Sequence, residues 1–97
     1  MANTDMSDIT SEQREQIRMS LLRYGLGFFT IGLARQYLAS EGFRGLSREQ
    51  VQAEINYLAD PAKALLRESA KAISPEVRHY STTAAGRDYL AQAGLDS

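Results

Sequence analysis

Arg48, Gln52 and Asn56 stand four residues apart, a spacing that on a helix places all three along one face. Their side chains suit hydrogen bonding to the edges of nucleic-acid bases. The arginine fork matches the paired acceptors of guanine, and the two carboxamides match the donor and acceptor of adenine. A second, basic group follows in Arg67, Lys71 and Arg78, whose charge suits contact with phosphate. An ordinary solvated helix face would carry the same triplet, so the elements around these residues have to decide between the two readings.

Other chemistries have less to work with. His79 is the single histidine and lies in a predicted strand beside Tyr80, where a packed or surface imidazole is expected rather than a general base. The sequence assembles no Ser/His/Asp order, no phosphate-cradling glycine loop and no His/Asp/Glu metal spacing. Gly25-Leu26-Gly27 lacks the preceding strand and the third glycine of a dinucleotide loop, so a helix stop accounts for it. The expectation is a protein with no catalytic residues, no metal and no cofactor, not an enzyme. With no cysteine, disulfides and thiolate metal sites are excluded and burial of apolar surface must hold the fold.

Four helices and a hairpin are predicted. Thr10 or Ser11 caps a first helix over 11–24, with Glu12 in its first turn and Ile17, Leu21, Leu22 and Tyr24 on one face. Gly25 and Gly27 end it through their tolerance of left-handed backbone angles, and Phe28 and Phe29 are expected in the core. Thr30 caps a second helix, with Leu33, Tyr37 and Leu38 on its apolar side and Glu41-Gly42 at its end. Ser47, with Gln50 three residues on, is a capping-box pattern for a third helix over 47–60. Val51, Ile55 and Leu58 face inward there, which turns Arg48, Gln52 and Asn56 outward. Glu49, Glu54 and Asp60 make this helix net acidic, and Pro61 ends it.

Beyond Pro61 two readings compete. Leu65-Leu66 and the segment 77–80 read as strands of a hairpin with Lys71 at its tip and Arg67 and Arg78 on its arms. Ala, Lys and Glu in the same stretch favour a helix over 62–72 instead. The hairpin is preferred because Ser74-Pro75 supplies a break and Val77, Tyr80 and the two threonines have strand character that needs a partner. In the last segment Thr83 caps a helix, Gly86 lets it approach other backbone, and Tyr89 and Leu90 return apolar area to the core.

The order of these elements and the run Tyr80-Ser81-Thr82-Thr83-Ala84-Ala85-Gly86-Arg87-Asp88-Tyr89-Leu90 resemble the closing strand and helix of the winged helix-turn-helix superfamily. The resemblance is to small winged-helix proteins of Mu-like phages and prophages and to MarR-like and PadR-like regulators. It implies a mainly α fold with a small β-hairpin (α+β), in which 11–93 form one winged-helix domain between a flexible segment 1–10 and a tail 94–97. It further implies a small transcriptional regulator, a homodimer paired through its terminal helices, with Arg48, Gln52 and Asn56 reading the major groove of double-stranded DNA and Arg67, Lys71 and Arg78 forming a basic wing. Winged domains also dock proteins, so the alternative is an interaction module such as a phage accessory protein or an inhibitor of a host factor.

Composition bounds both readings. Ninety-seven residues at 43% hydrophobic content suffice for one core and not for two. No apolar run is long enough to cross a bilayer, and the polar, acidic start is unlike a signal peptide, so a cytoplasmic protein without membrane contact is expected. The net charge of −1 lacks the basic excess usual for DNA binding. Its placement is uneven, however. Residues 61–87 carry Lys63, Arg67, Lys71, Arg78 and Arg87 against only Glu68 and Glu76.

Overall fold

Thr10 opens the first helix, α1 (Ser11–Tyr24), by accepting the Gln13 amide on its hydroxyl while the Gln13 side chain reaches back to the Thr10 amide. The computed structural model describes residues 10–69 and 78–95, with side chains to residue 93. Ile17, Leu21 and Leu22 of α1 are fully buried, as their spacing predicts. α2 (Ile31–Ser40) is capped by Thr30 and contributes Ala34 and Leu38, and α3 (Arg48–Ala59) has the capping box of Ser47 and Gln50 and contributes Val51, Ile55 and Leu58. These side chains close one core with Phe29, Leu66 and Tyr80.

After α3 the chain turns rather than continuing as a helix. The Asp60 carbonyl accepts the amides of Lys63 and Ala64, its carboxylate accepts that of Ala62, and Ala64 takes a left-handed φ of 52° that ends helical propagation. The Leu65 amide then bonds back to the Leu58 carbonyl, and β1 (Leu66–Glu68) pairs antiparallel with β2 (Tyr80–Thr82) in the register Leu66 to Thr82 and Glu68 to Tyr80. Burial of Leu66 and the ladder override the helical preference of the sequence here. β2 starts three residues later than expected; Val77, the Lys71 tip and the rest of 70–77 lie outside the described residues.

The ribbon is fixed at its root by the link between α1 and α2. Phe29 and Tyr80 exchange both backbone hydrogen bonds, at 3.0 and 2.9 Å, and the Thr82 amide donates to the Gly25 carbonyl at 2.8 Å. The Thr82 hydroxyl donates to the Leu22 carbonyl at 2.7 Å, which satisfies a side chain that is nearly fully buried. Gly25 is therefore not the left-handed stop its type suggests: its φ is −74°, and it is needed because a Cβ there would lie 2.4 Å from the Thr82 hydroxyl. Thr83 caps α4 (Ala84–Leu95) by accepting the Gly86 amide and donating to the Ala64 carbonyl. At Gly86 a Cβ would sit 2.3 Å from the Leu65 carbonyl, so glycine brings α4 against the start of β1, as the sequence suggested.

Three aromatic expectations need correction. Phe28 and Phe29 do not share the core: Phe29 is fully buried, while Phe28 is 61% exposed and stacks edge-to-face with His79, at 5.2 Å between ring centroids. Tyr89 returns little area to the core; it is half exposed and donates its hydroxyl to Glu15. Tyr37, on the expected apolar side of α2, is likewise partly exposed and packs on Tyr24. The result is a mainly helical α+β fold of four helices and one two-stranded hairpin among the described residues. No helix among them is long and apolar enough to cross a membrane.

Candidate nucleic-acid interface

α3 turns one face to the core and another to solvent. Arg48, Gln52 and Asn56 line a shallow depression on the outer face together with Glu49 and Ala53. Gln52 links this face to the hairpin: its Nε2 donates to Asn56 Oδ1 at 3.0 Å and to the Tyr80 hydroxyl at 3.3 Å. The Tyr80 ring itself is buried against Phe29, with 5.7 Å between centroids, so its hydroxyl is a fixed point.

A cleft of about 430 Å³ opens where three elements converge. Thr30, Ile31 and Gly32 at the start of α2, Arg48 and Gln52 of α3, and Arg78 and Tyr80 of the hairpin line it. The Leu33 amide is taken by the Thr30 hydroxyl and the Ala34 amide by the Thr30 carbonyl. The amides of Ile31 and Gly32, two cleft-lining residues, precede the first intrahelical bond at the positive end of the helix dipole.

The hairpin arginines are divided by the pleat. Arg78 reaches the cleft and pairs loosely with Glu68 at 3.4 Å, both side chains being about half exposed or more. Arg67 pairs across the ladder with Ser81, on the face of the ribbon opposite Tyr80. The structure thus brings together Arg48, Gln52, Asn56 and Arg78, and sets Arg67 apart; Lys71 lies outside the described residues.

One of the three acids expected to make α3 acidic is internal. Glu54 is buried and receives Arg18 Nε at 2.6 Å, with Arg14 at 3.8 Å. Arg18 also lies 3.6 Å from the centroid of the Tyr57 ring, which Lys63 approaches to 4.1 Å. Asp60 accepts the Ala62 amide while staying exposed, and Glu49 faces outward on the first turn. Glu41 is likewise committed. It accepts the hydroxyls of Ser20 and Tyr24 at 2.7 and 2.6 Å. Partial burial raises its pKa, but the bonds from Tyr24 and Ser20 and the charge of Arg23 outweigh it and hold the carboxyl below its usual range. Burial first, and then the Glu41 carboxylate, push the Tyr24 phenol well above its ordinary range.

Arg35, Arg44, Arg48 and Arg67 are exposed and meet no carboxylate among the described residues. Sequence reasoning named Arg48 and Arg67 but passed over Arg35 and Arg44, which sit on α2 and in the loop before α3. No group of His, Asp or Glu able to hold a metal occurs among the described residues. No protein-family model and no curated protein matches the sequence.

Proposed function

We propose that the chain is a winged-helix DNA-binding protein acting as a small transcriptional regulator, with α3 entering the major groove. The observation that carries this reading is the convergence of Arg48, Gln52, Arg78 and the α2 start on one cleft. A phosphate seated there would meet the free amides of Ile31 and Gly32 and the guanidinium of Arg78, while Arg48 and Asn56 reach base edges beside it. The element order, three helices followed by a hairpin and a closing helix, supports the fold assignment.

The net charge of −1 is compatible with this reading because the acids are not spread evenly in space. Glu54 and Glu41 are engaged by Arg18 and by Tyr24 with Ser20, Arg48 lines the cleft, and Arg35, Arg44 and Arg48 meet no carboxylate among the described residues. Burial of Glu54 removes one of the acids by which α3, with the net charge of −1, would favour a protein-docking module.

A homodimer is proposed through a second groove. Met19, Leu26, Leu90, Ala91 and Ala93 line an apolar groove between α1 and α4, with Glu12 at one end and Arg23 at the other. Two α1 helices packed antiparallel would set each Glu12 against the partner's cationic end. Light scattering at micromolar concentration checks for the dimer.

Fluorescence anisotropy against a random duplex tests the main reading. If Arg35, Arg44 and Arg78 each neutralise one phosphate, raising salt from about 50 to about 200 mM weakens binding roughly 40-fold. Arg48→Ala and Arg78→Ala should each lower affinity. Absence of binding at the lower salt removes the proposal.

A further inference from the structure

Hydrogen-bond bookkeeping on Gln52 and Asn56 narrows what α3 can read. Gln52 Nε2 carries two protons and spends both, one on Asn56 Oδ1 and one on the Tyr80 hydroxyl. Its Oε1 is left as an acceptor. Asn56 Oδ1 is occupied, which leaves Asn56 Nδ2 as a donor. The two residues lie on one outward face, one helical turn apart, with Ala53 between them.

We infer that the Gln52–Asn56 amide pair, oriented by the Tyr80 hydroxyl, acts as one composite reader of a single adenine. The inference rests on the DNA-binding reading above. In the major groove adenine offers a donor at N6 and an acceptor at N7, the complement of one free acceptor and one free donor. Guanine offers two acceptors, so Gln52 Oε1 would face O6 or N7 without a proton between them. Thymine alone offers only O4, and cytosine alone only its N4 donor, so either single base satisfies half of the pair; a cytosine N4 with the guanine O6 across the pair is the competing match. Discrimination follows from leaving a desolvated amide group unpaired.

Tyr80 is a positioning residue in this scheme. Its ring belongs to the core, and its backbone belongs both to the hairpin and to the Phe29 bridge. Its hydroxyl is the only contact by which the hairpin fixes the rotamer of a reading side chain among the described residues. Without it the Gln52 amide can rotate, exposing donor or acceptor in turn, and the pair no longer distinguishes adenine from guanine.

Selection of bound sequences from a randomised duplex library by the full-length protein tests this, alongside anisotropy on a random duplex. The wild type should enrich one adenine position about tenfold over other bases. Tyr80→Phe keeps the ring and removes the oxygen; it should retain random-duplex affinity within about twofold and lose the adenine enrichment. Asn56→Ala, at an exposed site, should likewise lose the adenine enrichment. Enrichment that survives both substitutions overturns the composite reader, as does wild-type binding with no adenine position. Failure of the wild type to bind any duplex at low salt is a different outcome, and it removes the DNA-binding reading together with this inference.

Discussion

Arg18 Nε stands 2.6 Å from Glu54 Oε1, joining α1 to a carboxylate on α3 that is nearly shut off from water. The pair has two consequences, one for stability and one for binding. Removing one member strands the other in a poorly solvated place. Glu54→Ala should therefore cost about 3 kcal/mol in urea denaturation, at the low end of the range for a buried pair because Arg18 keeps the Tyr57 ring as a neighbour. Glu54→Gln should leave duplex affinity unchanged once folded, whereas Glu49→Gln, on the exposed first turn, should raise it a few-fold in anisotropy. Equal effects of the two on binding would contradict the internal placement of Glu54.

Two glycines are fixed by contact rather than by backbone angle. Gly86→Ala drives a methyl into the Leu65 carbonyl, and Gly25→Ala drives one into the Thr82 hydroxyl and amide. Each should destabilise by about 2 kcal/mol or more, as overpacking against backbone does. Gly27 has open space around the same position, so Gly27→Ala should be neutral or slightly stabilising. Thermal melts of the three variants check the order.

The neighbouring phenylalanines should part company in the same measurement. Phe29→Ala empties a fully buried site and should cost about 3–5 kcal/mol. Phe28→Ser forfeits an edge contact with His79 and should cost about 1 kcal/mol or less.

Acid should loosen the junction of α1 with the end of α2. The folded pKa of Glu41 lies below its unfolded value, so its contribution is present above the ordinary carboxylate range and is lost as pH falls through the depressed folded value. Stability of Glu41→Gln should therefore fall less steeply in that acidic window than that of the wild type. Tyr24→Phe removes a 2.6 Å donor and should shift the Glu41 carboxyl titration upward by NMR, with a loss of about 1 kcal/mol at neutral pH. An unmoved Glu41 titration in that variant would contradict the assignment of cause.

Helix boundaries were legible because their signals are local. Thr10, Thr30 and Ser47 each accept an amide three residues on, and the buried positions of α1 and α3 repeat at helical spacing. The strand at 66–68 was harder, since its residues prefer helix and only the turn at Ala64 and the burial of Leu66 decide the matter. Which phenylalanine enters the core depends on the backbone pairing of Phe29 with Tyr80, a contact across half the chain. The outward triplet of α3 followed from its inward one, whereas the bond from Gln52 to Tyr80 had no signature in either segment. The burial of Glu54 was hidden for the same reason, because its partner lies 36 residues away.

α3 carries its buried residues and its proposed reading residues on separate sides, with one exception. Among the described residues, the side chain at position 48 has no bond to the rest of the fold and can be rewritten alone, whereas Asn56 is tied to Gln52 by the bond it accepts. Position 52 is bound to the ribbon through Tyr80. A redesign that alters residue 52 must therefore also choose a new residue at 80, so that retargeting this helix is a paired problem rather than three independent ones.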